Sequence, residues 1–315
     1  MAWQLIYTSA PRLLEAGRSG FGTVARHRAI HPLLVTAIER DSQFDRSAGG
    51  VVLAHRILTA GGSRFHVLTS IRDAGADYTG RTNHIAHHLV IEPREIAALG
   101  SAAPTPAEVL AQMNWLPVWT DSPRWLDGTD EIPFSRFHRR PGGASAWQSA
   151  TGEAPRAALL QPAHAACLIL PPGADALALI SESLGRAPAQ SWQATFTTSL
   201  QPGDESADFR WVAIPAAAPM RANAESGRTV LDLTAPHTLP IPAAPISESA
   251  EAQSTPRNAG ELFVPVPAPL GTAPVKMGSL FDEKLAAVAP RPAIRSRAAL
   301  WVSLVALAAA LVAGV

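Results

Sequence analysis

The sequence predicts an α+β domain with a largely antiparallel sheet and a few helices. A disordered Pro/Ala-rich linker and one transmembrane helix are expected to follow. Three observations predict this layout. Hairpin patterns outnumber strand–helix–strand units in the first two thirds of the chain. Fifteen prolines fall in residues 1–214 and thirteen in the much shorter stretch 215–297, while seven of the eight tryptophans lie at or before Trp211. The last eighteen residues, AALWVSLVALAAALVAGV, carry neither a charge nor a proline. Large aromatics supply core area, whereas Pro-rich, aromatic-poor chain cannot bury enough apolar surface to offset its ordering entropy. The expected division is therefore a globular cytoplasmic domain over 1–214, a linker over 215–297 and a C-terminal transmembrane helix over 298–315.

Each element has its local reason. Residues 3–9 (WQLIYTS) are β-rich and end at a turn-forming stretch, with residues 20–25 as the natural partner strand. Pro32 opens a helix whose Leu33, Leu34, Ala37 and Ile38 have helical spacing. VVLAHRIL and SRFHVLTSI flank Gly61 and Gly62, the clearest hairpin in the chain. HHLVIEP adds a strand that stops at Pro93. Helices are expected over 94–99 and 106–113, and residues 115–156 read as mostly irregular. ACLILPP reads as a buried strand, and residues 174–184 as a helix with Leu177, Ile180 and Leu184 on its apolar face. Two alternating strands are expected to close the domain. The first carries Trp192, Ala194 and Phe196, the second Phe209, Trp211 and Ala213.

Composition narrows the function classes. The 315 residues carry 26 basic and 26 acidic side chains, a net charge of zero, so no general nucleic-acid binder is expected. The single Cys167 excludes an intrachain disulfide framework and a cysteine zinc cluster, and its apolar strand setting reads as inert core. No GxSxG, HExxH or paired-cysteine motif occurs, so neither a cofactor nor a metal is expected and no catalytic residue is assigned. On this reading the chain leans away from being an enzyme.

The densest polar cluster of the domain is Arg81, Asn83, His84 and His88, near Asp73 and Asp77, and it ranks first for a ligand or partner. On a helix His84 and His88 would share a face and could hold a metal; on a strand His87 and His88 point to opposite faces. The β-branched residues that follow favour the strand from His87 onward. A second candidate is the basic patch Arg136, Arg139 and Arg140 in SRFHRR. Gly17, Gly20 and Gly22 follow a strand but lack the Lys-Ser/Thr of a P-loop, so a glycine-rich hairpin loop is expected there. In the linker, Pro242 and Pro245 satisfy PxxP, residues 264–269 resemble polyproline, and Ser279 with Asp282, Leu285 and Val288 could cap and face a short partner-binding helix.

The C-terminal run would make a helix of about 27 Å, close to the ~30 Å hydrocarbon core. Arg291, Arg295 and Arg297 precede it and Trp301 lies one turn inside, the pattern of a cytoplasmic flank. No signal peptide is evident, so a single-pass tail anchor with a cytoplasmic N-terminal domain is expected.

Several stretches together carry a resemblance: Tyr7 to Pro11, the loop from Gly17 to Thr23, FHVLT at 65–69, DYTGRTNHIAHHLV at 77–90 and TFTT at 195–198. Over residues 1–213 the chain resembles an uncharacterised bacterial family, itself similar to the N-terminal domains of GTPase-associated proteins of bacterial conflict systems. The resemblance implies an adaptor that recruits partners in an NTP-dependent assembly, with a GTPase or other NTPase as the protein partner. The alternative is an enzyme or ligand-binding domain built on the His84–His88 cluster.

Overall fold

The first strand to form a ladder, β1 (Ala2–Ala10), is followed by β2 (Gly20–His27), helix α1 (Pro32–Arg40), and then β3 (Val52–Ala60), β4 (Ser63–Ala76) and β5 (Thr82–Ile91). Helices α2 (Pro93–Leu99) and α3 (Pro106–Gln112) lead to the three-residue β6 (Arg124–Leu126). Then come α4 (Ala146–Thr151), β7 (Ala166–Leu170), α5 (Ala176–Arg186), β8 (Phe196–Thr197), β9 (Trp211–Pro215), α6 (Arg221–Glu225) and β10 (Thr229–Asp232). This computed structural model describes residues 1–46, 50–140, 144–151, 160–201, 204, 209–218 and 221–234. All of them belong to one unit, Met1–Ser247.

Among the described residues ten strands form one sheet in the order β10-β7-β9-β8-β3-β4-β5-β1-β2-β6. The block β8-β3-β4-β5-β1-β2 is antiparallel throughout, as the hairpin patterns predict. Gly61 and Gly62, both at positive φ, make the two-residue turn between β3 and β4, a conformation glycine adopts without steric cost. At the two ends of the sheet the strands run parallel: β10, β7, β9 and β8 at one end, β2 with β6 at the other. The fold is thus α+β with a mostly antiparallel sheet, and the parallel end is a departure from the sequence reading. Its cause lies in connections through α5 and α6, which return the chain in the same direction.

Two further differences concern the C-terminal part. No strand forms around Trp192; Pro188 starts a 3₁₀ turn over Pro188–Gln193 instead, and Trp192 donates its Nε1–H to the carbonyl of Pro104 at 2.8 Å. The folded part also runs past residue 214. Thr229–Asp232 pairs with β7, and Leu233 is buried. Thr229 and Val230 are β-branched, a short strand signal that the averaged proline content of 215–297 conceals. The PxxP segment at 242–245, residues 264–269, the helix expected near 279–288 and the run 298–315 lie outside the described residues. No helix among the described residues is long and apolar enough to cross a membrane.

The sheet buries both faces. On one, Leu68, Leu89 and Ile91 pack with Leu110 of α3, Leu179 and Ile180 of α5, and Trp147 and Trp192. On the other, Leu5, Val67 and Val90 pack against Leu34 and Ile38 of α1. Full burial of a side chain such as Ile38 stabilises by roughly 1.5–3 kcal/mol. Helix α3 is fixed by a reciprocal capping box between Thr105 and Glu108.

Candidate functional site

Strand β5 places its histidines alternately. His84 and His88 face α1, whereas His87 faces the opposite layer, as the strand reading requires. His84 and His88 converge on one residue, Ser42, just beyond the end of α1. His84 Nε2–H donates to the Ser42 carbonyl at 2.9 Å. Ser42 Oγ donates to the Ile38 carbonyl at 2.7 Å, so it must accept from His88 Nε2–H at 2.9 Å. That fixes the neutral tautomer of His88, and Thr69 Oγ1 donates to its Nδ1 at 2.9 Å. Burial, then His87 and Arg56, hold His88 well below the ordinary imidazole range.

His87 is satisfied on its own side. The Leu116 amide donates to its Nδ1 at 3.2 Å and its Nε2–H donates to Gln4 Oε1 at 3.0 Å. Gln4 in turn donates to the Asp130 carbonyl at 2.7 Å. Burial, with Arg72 nearby, lowers His87 to about 3. His84 is stacked on Phe21 at 4.5 Å and is lowered chiefly by burial, against the opposing pull of the Ser42 carbonyl.

Asn83 sits at the start of the same strand and Arg81 in the turn that leads into it. Asn83 Oδ1 accepts from the Ser9 amide at 3.1 Å and the Thr8 hydroxyl at 3.2 Å, tying β5 to β1. Asp77 organises the β4–β5 turn, accepting from the hydroxyl and amide of Thr79, the Arg81 amide and the Ser9 hydroxyl. The Thr79 hydroxyl foremost holds its carboxyl well below the usual carboxylate range. The structure therefore brings Asn83, His84 and His88 onto one strand with Arg81 in the turn just before it, and each is engaged by neighbouring backbone or side chains.

In the basic patch, Phe134 and Phe137 are buried while Arg136, Arg139 and Arg140 are exposed. Arg136 lies over the Phe137 ring at 5.5 Å, and the Arg140 amide is held by Glu108 at 2.9 Å. Gly17 and Gly20 take positive φ in a loop that leads into β2 rather than a helix. Cys167 is fully buried, and burial pushes its thiol up to about 11. Among the described residues no group of three or more His, Cys, Asp or Glu side chains could hold a metal ion.

Two polar arrangements escape a sequence reading. His55 Nδ1–H donates to the Ala194 carbonyl at 2.8 Å, so its Nε2 accepts from His66 Nδ1 at 3.1 Å. Burial first lowers them to about 3 and about 4, with His66 adding to the shift of His55 and Arg64 to that of His66. Arg56, also buried, lies between Asp204 and Asp41 and over the Phe209 ring at 4.4 Å. Alternation marks His55 and Arg56 as opposite-facing residues, but their partners come from distant segments with no local spacing to betray them.

The strands β3, β4, β5, β1, β2 and β6 are contiguous in the sheet and all precede residue 133. The ends of this block meet, because Ala2 and Ile132 exchange backbone hydrogen bonds of 2.8 and 3.0 Å. The same block is the one that comparison with known families delimits. Residues 1–132 match the family GTPase-associated protein 1, N-terminal domain type 2. No curated protein and no solved structure matches the chain. The match covers the first 132 of the residues that carry the resemblance, and the strands β7 to β10 lie beyond the matched segment. Arg81, Asn83, His84 and His88 fall within the domain, and the basic patch falls just outside it.

Proposed function

We propose that this protein is a membrane-tethered cytoplasmic adaptor whose GTPase-associated domain recruits a GTPase or related NTPase. The observation that carries the reading is the family match over residues 1–132. It is supported by the way the histidine cluster is used: each of His84, His87 and His88 braces neighbouring segments. The tether rests on the charge-free run 298–315 behind Arg291, Arg295 and Arg297. A linker of some 83 residues (215–297) would reach about 50 Å as a flexible coil; the strand at Thr229–Asp232 shortens that reach. Confinement near the membrane raises the effective concentration for a membrane-associated partner.

Affinity purification of the full chain from its native membrane, followed by mass spectrometry, tests the recruitment. An NTPase recovered in stoichiometric amount is expected, and its absence would overturn the adaptor reading. Alkaline carbonate extraction tests the tether. The full chain should stay in the pellet, and its release into the soluble fraction would remove the membrane from the account.

A further inference from the structure

A groove of about 710 Å³ runs between the loop that joins β1 to β2, the strand β2 itself and the flank of α1 that carries Pro32, Val35 and Glu39. Tyr7, Phe21, Thr23, Val35, Glu39 and Trp125 are among the residues that line it. Phe21 and Trp125 are each 39% exposed, unusual for rings of that size in a molecule that buries Trp147 and Trp211 completely. The whole groove lies within the matched segment.

Most of its charges are already engaged. Glu15 takes Arg18 at 2.9 Å, Asp41 takes Arg40 at 2.9 Å, and Glu39 Oε1 accepts the Thr23 hydroxyl at 2.5 Å. Two cations meet at Trp125, Arg26 on the groove wall and Arg28 just beyond the lining residues. The guanidinium groups of Arg26 and Arg28 lie 4.7 and 4.8 Å from the centre of the same Trp125 ring. Arg26 spends one N–H on the Ile30 carbonyl and feels the charge of Glu39, which also lines the groove, but neither arginine has a carboxylate within ion-pair distance among the described residues. Stacking on an indole holds a guanidinium in place while leaving its in-plane donors free, the arrangement that recognises carboxylates in pairs. An open groove of mixed polarity with Trp, Tyr and Arg on its walls suits a protein segment better than an enclosed small molecule.

We propose that this groove receives an extended acidic segment of the recruited protein, its Asp or Glu carboxylates gripped by Arg26 and Arg28 beside Trp125 and an apolar residue resting on Phe21 and Val35. The proposal rests on the adaptor reading and adds the site and the chemistry of the partner.

A photo-crosslinking amino acid at position 35 of the full chain, irradiated in native cells, tests it. The adduct should map to one peptide of another protein carrying at least two Asp or Glu residues. A synthetic copy of that peptide should bind the purified full chain. Binding should weaken about 10-fold or more in Arg28→Glu and in the Arg26→Ala/Arg28→Ala pair, and fall with rising salt. Arg28 is exposed, so Arg28→Glu keeps the test valid if loss of the Arg26–Ile30 bond disturbs folding. The proposal is overturned by no adduct, by an adduct poor in acidic residues, by one to residues 279–285 of this chain, or by binding that ignores both variants. If an NTPase still co-purifies with Arg28→Glu undiminished, the groove proposal fails while the adaptor reading stands.

Discussion

In the part of the sheet built by residues 1–132, strands run to 14 residues in β4 and 10 in β5, and neighbours are joined mostly by hairpins. In the part built by β7 to β10 no strand exceeds five residues and the pairing is parallel. The three longest-paired strands of that part, β3, β4 and β5, carry five histidines, His55, His66, His84, His87 and His88, each hydrogen-bonded in place. The short parallel strands carry none, and ACLIL and WVAIP are buried almost end to end. Parallel strands covered on both faces rely on continuous apolar side chains. The longer hairpins have surface enough to admit polar braces, and their stability is correspondingly tied to protonation.

The largest expected effect follows from that tie. His55 and His87 are held near 3 and His66 near 4, all below the ordinary value of about 6.5. The folded state therefore binds fewer protons than the unfolded chain. Their stabilisation is complete above about pH 6.5 and is lost as pH falls from there toward the folded values, at about 1.4 kcal/mol per pH unit for each histidine. Urea unfolding of the described unit should lose several kcal/mol between pH 6.5 and 5. Hydrogen exchange should show β3, β4 and β5 opening before β7 and β9. Simultaneous opening of both parts would break the comparison and make the sheet one cooperative unit.

Next in size is the apolar side of the contrast. Trp211 is fully buried and donates to the His164 carbonyl at 3.0 Å, so Trp211→Ala should cost about 3–5 kcal/mol with little change in the pH profile. A profile that flattened in this variant would show that the histidines draw on the parallel strands. Ser42→Ala strands the His88 Nε2–H and releases His84's clamp only indirectly; about 1–3 kcal/mol should be lost. Adding His88→Leu together with Thr69→Val, which removes the hydroxyl that donates to His88 Nδ1, should recover part of that loss, since all three partners are then apolar. The smallest effect is expected from Thr105→Ala, about 1 kcal/mol through loss of the α3 cap, read as a shift in thermal midpoint.

What the sequence disclosed tracks how local its signals are. The β3–β4 hairpin, the proline-started α1 and the alternation that separates His87 from His88 are written within a few residues of one another, and the structure has them. The pairing of β7 with β9 and β10 is not, because parallel neighbours meet only after a crossover that leaves no periodic mark. Trp192 alternates with Ala194 and Phe196 as a strand would, yet Pro188 and an indole hydrogen bond to Pro104 decide for a 3₁₀ turn. At the candidate site the opposite facing of His87 and His88 was legible, whereas the sequence reading gives His84 and His88 a shared face only on a helix, and they share one because the strand reaches back to Thr82. Ser42 was not legible, and neither was the stacking of Arg26 and Arg28 on Trp125, since only the fold brings those segments together.

Cys167 stands in β7, with its thiol fully covered and its pKa pushed up to about 11, and it is the one cysteine of the chain. Alkylating reagents attack the thiolate, so the native thiol is doubly silent, hidden and protonated. Modification therefore waits for an opening of the parallel strands and proceeds at a rate set by how often that opening occurs. A simple mass shift timed in the intact protein becomes a clock for that end of the sheet alone, read without mutation, label or purification of fragments.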